Sequence, residues 1–394
     1  MSIGELCIGA VIPRTGRLSR LGDPLSFVLD LLAPAVTHVV NDGRRHDLRL
    51  AGRDSRSDPA VARRAVHELV EHERAQIVLT LGGTQVLPAV ADTCEELGVP
   101  CVSTTFPWQA YVYGRDRDPS RPFAWTYHFA WGLDDIADVF TEMWRLCAPR
   151  SAPVGCLWND QLPGRLLRHP HHGFLPRAAE SGHPLVDPGG YPEPATTFTS
   201  SIDRFRHAGT EIITTAATET DLALFHRQAT EHGLRPRLIT SSRWLTYPCT
   251  STASDLSDAG IATLVYWSPR HPYRSSLDGT TPALLAETYE QRTGNQWLQP
   301  LGLAYALVEV AVHALSTAGD PADRRSVAEA ISRTRLHTIA GPLDWTSGPT
   351  PNVALIPLVG GQWRPGGRHP AELAIVTNAR LPEIRPDADL AFAR

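Results

Sequence analysis

Three stretches of this chain combine glycines, hydroxyls and aromatic rings in a way suited to holding a small polar molecule. In Leu81-Gly82-Gly83-Thr84, two glycines let a backbone approach a bound group closely, and a hydroxyl follows just ahead of an apolar segment at Pro88-Ala89-Val90. If a helix starts there, its first N–H groups and partial positive charge face the same bound oxygen, so a carboxylate or carbonyl is held without any Lys or Arg. The competing reading is that Thr84 caps its own helix. Ser103, Thr104, Thr105, Phe106, Pro107 and Trp108 form the second stretch, a run of hydroxyls ending in an indole. Either they face the same ligand, or Thr104 and Thr105 satisfy turn backbone while Trp108 packs between loops. The third set is scattered: residues 158–162 with Asp160 and Gln161, residues 217–219 with Glu219, and Ser241, Ser242 and Arg243. Asp160 or Glu219 accepts a ligand ammonium, or each is a solvated loop carboxylate; Arg243 meets an anionic group or solvent.

Catalytic and metal motifs are not visible. His67 and His72 flank Glu68 but stand five residues apart, about 140° around a helix, so they cannot hold one ion from one face. His169, His171 and His172 surround Pro170 without a supporting Cys or carboxylate pattern and read as surface loop residues. The glycine-rich turns of dinucleotide sites, phosphate loops and hydrolase elbows are missing. For general acid–base chemistry the candidates are His128, Asp160 and Glu219, and no cofactor or metal is expected.

The elements that must position these residues alternate. Short apolar runs at residues 7–12, 48–51, 76–79, 100–103, 154–158, 211–215, 237–239 and 261–266 are separated by turns and segments of 3.6-residue period, the pattern of β-α units in a parallel sheet. A helix is expected over 59–73, with Ser57 or Asp58 as N-cap and Pro59 in its first turn. Another is expected over 88–97, stopped by Gly98, and a third, apolar on most sides, over 301–317. Loops at the carboxyl ends of such strands face ligands, which places all three stretches above at the right ends of their strands. Residues 27–40 fall short of the roughly 20 needed to span a bilayer and read as a core helix. Residues 116–122 are a polar, proline-bearing turn ahead of an aromatic stretch, 123–131, that leads into a helix and reads as a crossover between lobes. The rings Phe106, Trp108, Tyr111, Tyr113, Trp125, Tyr127, Phe129 and Trp131 either line a pocket for a ring or pack a hinge. After Gly341 the tail suggests a final antiparallel strand pair around residues 353–361.

At 394 residues the chain suits two domains of comparable size. A net charge of -5 shows no basic excess that would recruit nucleic acid, and 33 prolines and 30 glycines are dispersed as turn punctuation. The six cysteines show no metal-type spacing and sit mostly in apolar runs, as small core residues do. Residues 1–5 run directly into the first apolar strand without a basic leader, so the chain as given is expected to be cytoplasmic, and extracytoplasmic if a leader was removed.

The order of these motifs resembles the type I periplasmic solute-binding proteins, the branched-chain amino acid, amide and urea receptors of ABC transporters. Ile8-Gly9-Ala10-Val11-Ile12-Pro13 with Thr15-Gly16 and Leu21-Gly22 resembles the first strand and its ligand-facing loop. Asp54-Ser55-Arg56-Ser57-Asp58-Pro59 resembles the next strand end and helix cap, and Gly98-Val99-Pro100-Cys101-Val102-Ser103 a later strand. In the second half Thr197-Phe198, Ser201, Ala208-Gly209 and Thr240-Ser241-Ser242 continue the register. The chain departs from the pattern where Leu162-Pro163-Gly164 replaces the usual Tyr-Gly. The resemblance implies two Rossmann-like lobes joined by three crossovers, residues 1–127 with 267–338 and residues 128–266 with 339–394, closing by a hinge on one ligand. It implies an amino acid, amide or related polar solute, with Thr105 as a hydroxyl contact and Trp108 as an aromatic wall. The implied partner is an ABC permease; a cytosolic ligand sensor acting on a regulatory protein and an enzyme on the same scaffold are the alternatives.

Overall fold

Apolar runs flanked by turn residues become buried strands, and the computed structural model describes residues 5–243 and 260–393 of the chain; Cys249 lies outside them. Two compact units result, Met1–Trp131 with Trp267–Ile356 and Gly132–Tyr266 with Pro357–Arg394, so the chain passes between them three times.

The first unit contains β1 (Leu6–Ile12), α1 (Ser19–Leu32), β2 (His38–Asn41), β3 (Arg44–Asp54), α2 (Pro59–Glu71), β4 (Ile77–Leu81), α3 (Val86–Leu97), β5 (Cys101–Thr104), α4 (Trp108–Tyr113) and β6 (Thr126–Ala130). The second follows with α5 (Leu133–Cys147), β7 (Val154–Leu157), α6 (Leu162–Leu167), α7 (Leu175–Glu180), β8 (Leu185–Val186), α8 (Thr199–His207), β9 (Ile212–Thr215), α9 (Glu219–Glu231), β10 (Leu238–Ser241) and β11 (Ile261–Val265). Returning to the first unit, the chain forms α10 (Pro282–Thr293), α11 (Pro300–Thr317), α12 (Arg324–Ser332), the paired β12 (Arg335–Thr338) and β13 (Gly341–Asp344), and β14 (Val353–Leu355). It ends in the second unit with β15 (Val359–Pro365) and β16 (Ala371–Thr377).

The sheet orders are β14-β6-β5-β4-β1-β3-β2 and β16-β15-β11-β10-β9-β7-β8. Both are parallel through their centres, with β2 added antiparallel in the first and β15 and β16 in the second. Strands β1, β4, β5 and β6 are buried along their whole length, as expected of strands covered by helices on both faces. The two-lobed, mostly parallel α/β architecture read from the sequence is therefore the one observed. Helix α11 is long and apolar enough to cross a bilayer, but 78% of it is buried inside the fold, and it packs against β4, β5, α1 and α12 as a core helix.

Three expectations need correction. Residues 27–40 are not one helix: α1 ends at Leu32, just ahead of Pro34, and His38–Asn41 forms β2. The cause is a two-residue Asp42-Gly43 turn, with φ of 46° and 72°, that folds β2 back onto β3. The first unit boundary falls after Trp131, not 127, because β6 runs to Ala130 and the Trp131 carbonyl receives the Trp108 N–H. The last falls after Ile356, not 338, because Val353–Leu355 adds in parallel to His128–Ala130 of β6. The antiparallel pair of the tail is consequently β15 with β16, carrying an irregularity at Gly360/Gly361.

Candidate functional site

At the carboxyl ends of β1, β3, β4 and β5, four loops of the first unit are bonded to one another. Asp54, the last residue of β3, organises two of them. Its Oδ1 accepts from the backbone N–H groups of Arg14, Thr15 and Arg56 at 3.0, 3.3 and 2.8 Å, and its Oδ2 from the Thr15 hydroxyl at 2.7 Å. Partial burial raises the Asp54 carboxyl, but these bonds outweigh it and hold the group below the usual carboxylate value. The Ser57 hydroxyl ties the same loops again, donating to the Thr15 carbonyl at 2.7 Å and accepting from Leu18 N–H at 3.0 Å. Gly16 is required between them: a Cβ there would stand 2.6 Å from the Arg56 carbonyl oxygen, and its φ is 84°. Helix α2 begins beside this platform with Asp58 as N-cap, its carboxylate accepting from Val61 N–H at 2.8 Å.

The loop between β4 and α3 holds Gly82, Gly83 and Thr84, and here the two readings of Thr84 separate. The N-cap of α3 is Gln85, and no side chain caps the helix. The first backbone bond of the turn is Leu87 N–H to the Gly83 carbonyl at 3.1 Å. Among the described residues the N–H groups of Gly83, Thr84, Gln85 and Val86 donate to nothing, and Thr84, half-buried, has no hydrogen-bond partner. The next loop supports this one. Thr105, at a φ of 100°, bonds to both backbone groups of Gly82, accepting at 3.2 Å and donating at 3.1 Å.

Ser103 and Thr104 are fully buried at the end of β5, and their hydroxyls are used inside the fold. Thr104 donates to the Phe129 carbonyl at 2.6 Å. Ser103 lies 2.9 Å from His128 Nδ1. The other imidazole nitrogen, Nε2, is 2.9 Å from the Phe106 carbonyl, which can only accept, so the proton sits on Nε2 and Nδ1 accepts from the Ser103 hydroxyl, which the Tyr127 carbonyl also approaches at 3.2 Å. Burial pushes the His128 pKa down to about 3, against the Phe106 bond, and the neutral ring stacks on Tyr111 at 4.4 Å. His128 thus joins β5 and β6 to α4 as a core group, away from solvent. Phe106, Tyr111, Tyr127, Phe129 and Trp131 are also buried within the unit, whereas Trp108 and Tyr113 are half-buried with ring centroids 6.4 Å apart.

The strand-end residues of the second unit are held by a network that the sequence did not reveal. Arg168 donates to the carbonyls of Trp158 and Asn159, each at 2.7 Å, and to Asp187 at 2.7 Å. Buried Asn159 receives Gly164 N–H at 3.1 Å and donates to Glu193 at 2.7 Å, and Glu193 is ion-paired with Arg243. Gln161 is exposed, with a long 3.5 Å contact to the Glu193 carbonyl, and Asp160 is exposed beside it. Glu219 is half-buried in the first turn of α9, which Thr218 caps. Ser241 is fully buried at the end of β10, and Ser242 N–H bonds to the Thr215 carbonyl at 3.1 Å. Arg168 and Glu193 leave no mark in the sequence because an isolated charged residue in a loop carries no periodicity; Asp54 stands there only as part of a strand-end motif, with nothing to show that it binds the loop after β1.

Among the described residues no three His, Cys, Asp or Glu side chains are grouped to hold a metal ion. The His169 ring instead accepts the backbone N–H groups of His171 and His172 and stacks on His172 at 4.6 Å. His67 pairs with exposed Glu71 one turn along α2.

Residues 5–355 match the model of a family described as periplasmic binding protein. The structure is similar to that of a leucine-binding protein, LivK, from Thermotoga maritima, at 16% identity and a TM-score of 0.71, covering 95% of this chain and 99% of that one. It is similar to the branched-chain amino acid substrate-binding protein LivJ from Streptococcus pneumoniae in complex with isoleucine, at 13% identity and 0.67, covering 99% and 100%. It is also similar to an R. palustris solute-binding protein in complex with benzoate, at 15% identity and 0.66, covering 99% of each chain. Among the curated proteins none matches the chain.

Proposed function

Because this chain belongs to the periplasmic binding protein family, we propose that it binds a small polar molecule in the manner of ABC-transporter substrate-binding proteins, gripping a carboxylate or carbonyl oxygen at the loop between β4 and α3. The observation that carries this reading is the row of N–H groups on Gly83, Thr84, Gln85 and Val86, which have no partner among the described residues, beside the Thr84 hydroxyl. Together they form a site dominated by donors, suited to an oxygen-rich head group. Isoleucine and benzoate, held by two of the structural relatives, both carry a carboxylate. Trp108 and Tyr113, half-buried on α4, supply apolar surface for the rest of the ligand.

The test is a thermal-shift screen of amino acids, amides, urea and aromatic acids on the full chain. A ligand present at 100 times its Kd adds about 2.7 kcal/mol to the folded state. A shift that disappears in Thr84→Val supports the site; no shift with any compound removes it.

Delivery of the ligand to an ABC permease is the partner reading. Members of this family normally work outside the cytoplasm. The cytoplasmic reading draws support from five buried free thiols among the described residues, and cell fractionation decides it.

A further inference from the structure

The arginines on the same edge of the first unit bear on the charge of the ligand. Residues 13–20 and 54–58 carry Arg14, Arg17, Arg20 and Arg56 against two carboxylates, Asp54 and Asp58. Both carboxylates are engaged: Asp54 by three backbone N–H groups and a hydroxyl, Asp58 as the cap of α2. Arg14 is turned back along β3, its Nη2 lying where a Cβ on Gly52 would come within 2.6 Å. Arg17 and Arg56 are exposed and form no ion pair among the described residues.

Arg17 is also placed. Gly16, directly before it, lies against the Arg56 carbonyl, and the Arg17 guanidinium donates to Gln85 Oε1 at 3.4 Å. The following residue, Leu18, packs on Gly83, whose Cβ would stand 3.2 Å from Leu18 Cδ1. The guanidinium therefore reaches Gln85 of the β4–α3 loop, while residues 82–85 and 104–107 contain no charged side chain at all. An exposed cation beside a row of free donors, with no unengaged carboxylate in these loops, favours an anionic head group at this edge of the first unit over an ammonium, which would meet like charge there.

Resting on the proposed site at the β4–α3 loop, we infer that the ligand is an organic acid without an α-ammonium group, and that Arg17 determines this specificity. The test is calorimetry on the full chain with probes that differ only in the head group: 4-methylpentanoate, 4-methylpentanamide and leucine, and benzoate with benzamide. At least one acid is expected to bind ten times or more tightly than its amide and than leucine, and more weakly as salt is raised. Arg17→Gln is expected to weaken acid binding about tenfold and to close the gap between acid and amide, with Arg17→Lys restoring part of it. Tighter binding of leucine or an amide, binding of neither acid, or an acid-to-amide ratio unchanged in Arg17→Gln overturns the inference. If that ratio is unchanged but Thr84→Val weakens every probe, the site stands and the charge assignment falls. If Thr84→Val is silent as well, the site falls with it.

Discussion

The Thr105 hydroxyl and the Gly82 backbone are bonded to each other twice, Gly82 N–H donating to Oγ1 at 3.2 Å and Oγ1 donating to the Gly82 carbonyl at 3.1 Å. One side chain therefore fastens the loop after β5 to the loop after β4, and the residue that does so adopts a φ of 100°, where an L side chain is strained. Thr105→Val removes both bonds and leaves Gly82 N–H without an acceptor. Chemical denaturation is expected to show a loss of about 1–3 kcal/mol, together with weaker ligand binding, while Thr105→Ser retains both properties. A Thr105→Val protein that melts normally would show that the two loops do not depend on this contact.

Thr84 should behave oppositely. Its hydroxyl has no partner among the described residues, so Thr84→Val is expected to leave stability within about 0.5 kcal/mol of the parent. Ligand affinity is expected to fall roughly ten- to a hundredfold, the worth of a hydrogen bond to a charged group. Calorimetric titration beside a urea melt separates the two effects. A large drop in melting with normal binding would make Thr84 a structural residue.

The acid limb of stability follows from buried groups with opposite signs. Burial lowers His128 to about 3 and, against a bond from Ser268, His271 to about 4, so below the ordinary histidine value of 6.5 the unfolded chain takes up protons that the folded one refuses. Stability is lost as pH falls through that window. Glu309, inside α11, runs the other way. Burial pushes its pKa up to about 7, although Ile339 N–H, Ser276 N–H and the Ser276 hydroxyl bond to its carboxylate at 2.9, 2.5 and 2.9 Å. Its folded form holds a proton between about 4.5 and 7 that the unfolded form releases, so it adds stability as pH falls through 7 and offsets part of the histidine loss. Glu309→Gln is expected to steepen the decline in denaturation midpoint between pH 7 and 4.5. An unchanged slope would mean that Glu309 titrates normally.

Gly302 on α11 faces Trp267, where a Cβ would stand 2.2 Å from the indole. The ring itself is fully buried and fixed by its Nε1–H bond to the Ile339 carbonyl at 3.1 Å. Gly302→Ala gains helix propensity but overpacks this contact, and a net loss of about 1–3 kcal/mol is expected in denaturant melts. A gain in stability would show that Trp267 has room to move.

How much of this molecule was legible in its sequence depends on the range of the interaction. The eight apolar runs, the Asp58 cap and the Gly98 stop are local signals, repeating every two or 3.6 residues or ending a helix within one turn, and each reappears in the structure. The glycines ahead of α3 and the hydroxyls at the end of β5 could likewise be placed at strand ends, because a parallel sheet puts its loops there. Which of those hydroxyls are free was a tertiary matter. Ser103 and Thr104 are adjacent to Thr105 in chemistry and in sequence, yet they are used up by residues 25 positions away in β6. Val353–Leu355 could not be assigned to the first unit by its own pattern, since its partner, His128–Ala130, lies more than two hundred residues earlier. Asn352, just before it, bonds Phe123 across a separation of 229 residues. Pattern in a sequence reports the environment that a residue requires; the identity of the partner that supplies it is set only when distant segments are brought together and their polar groups must be satisfied.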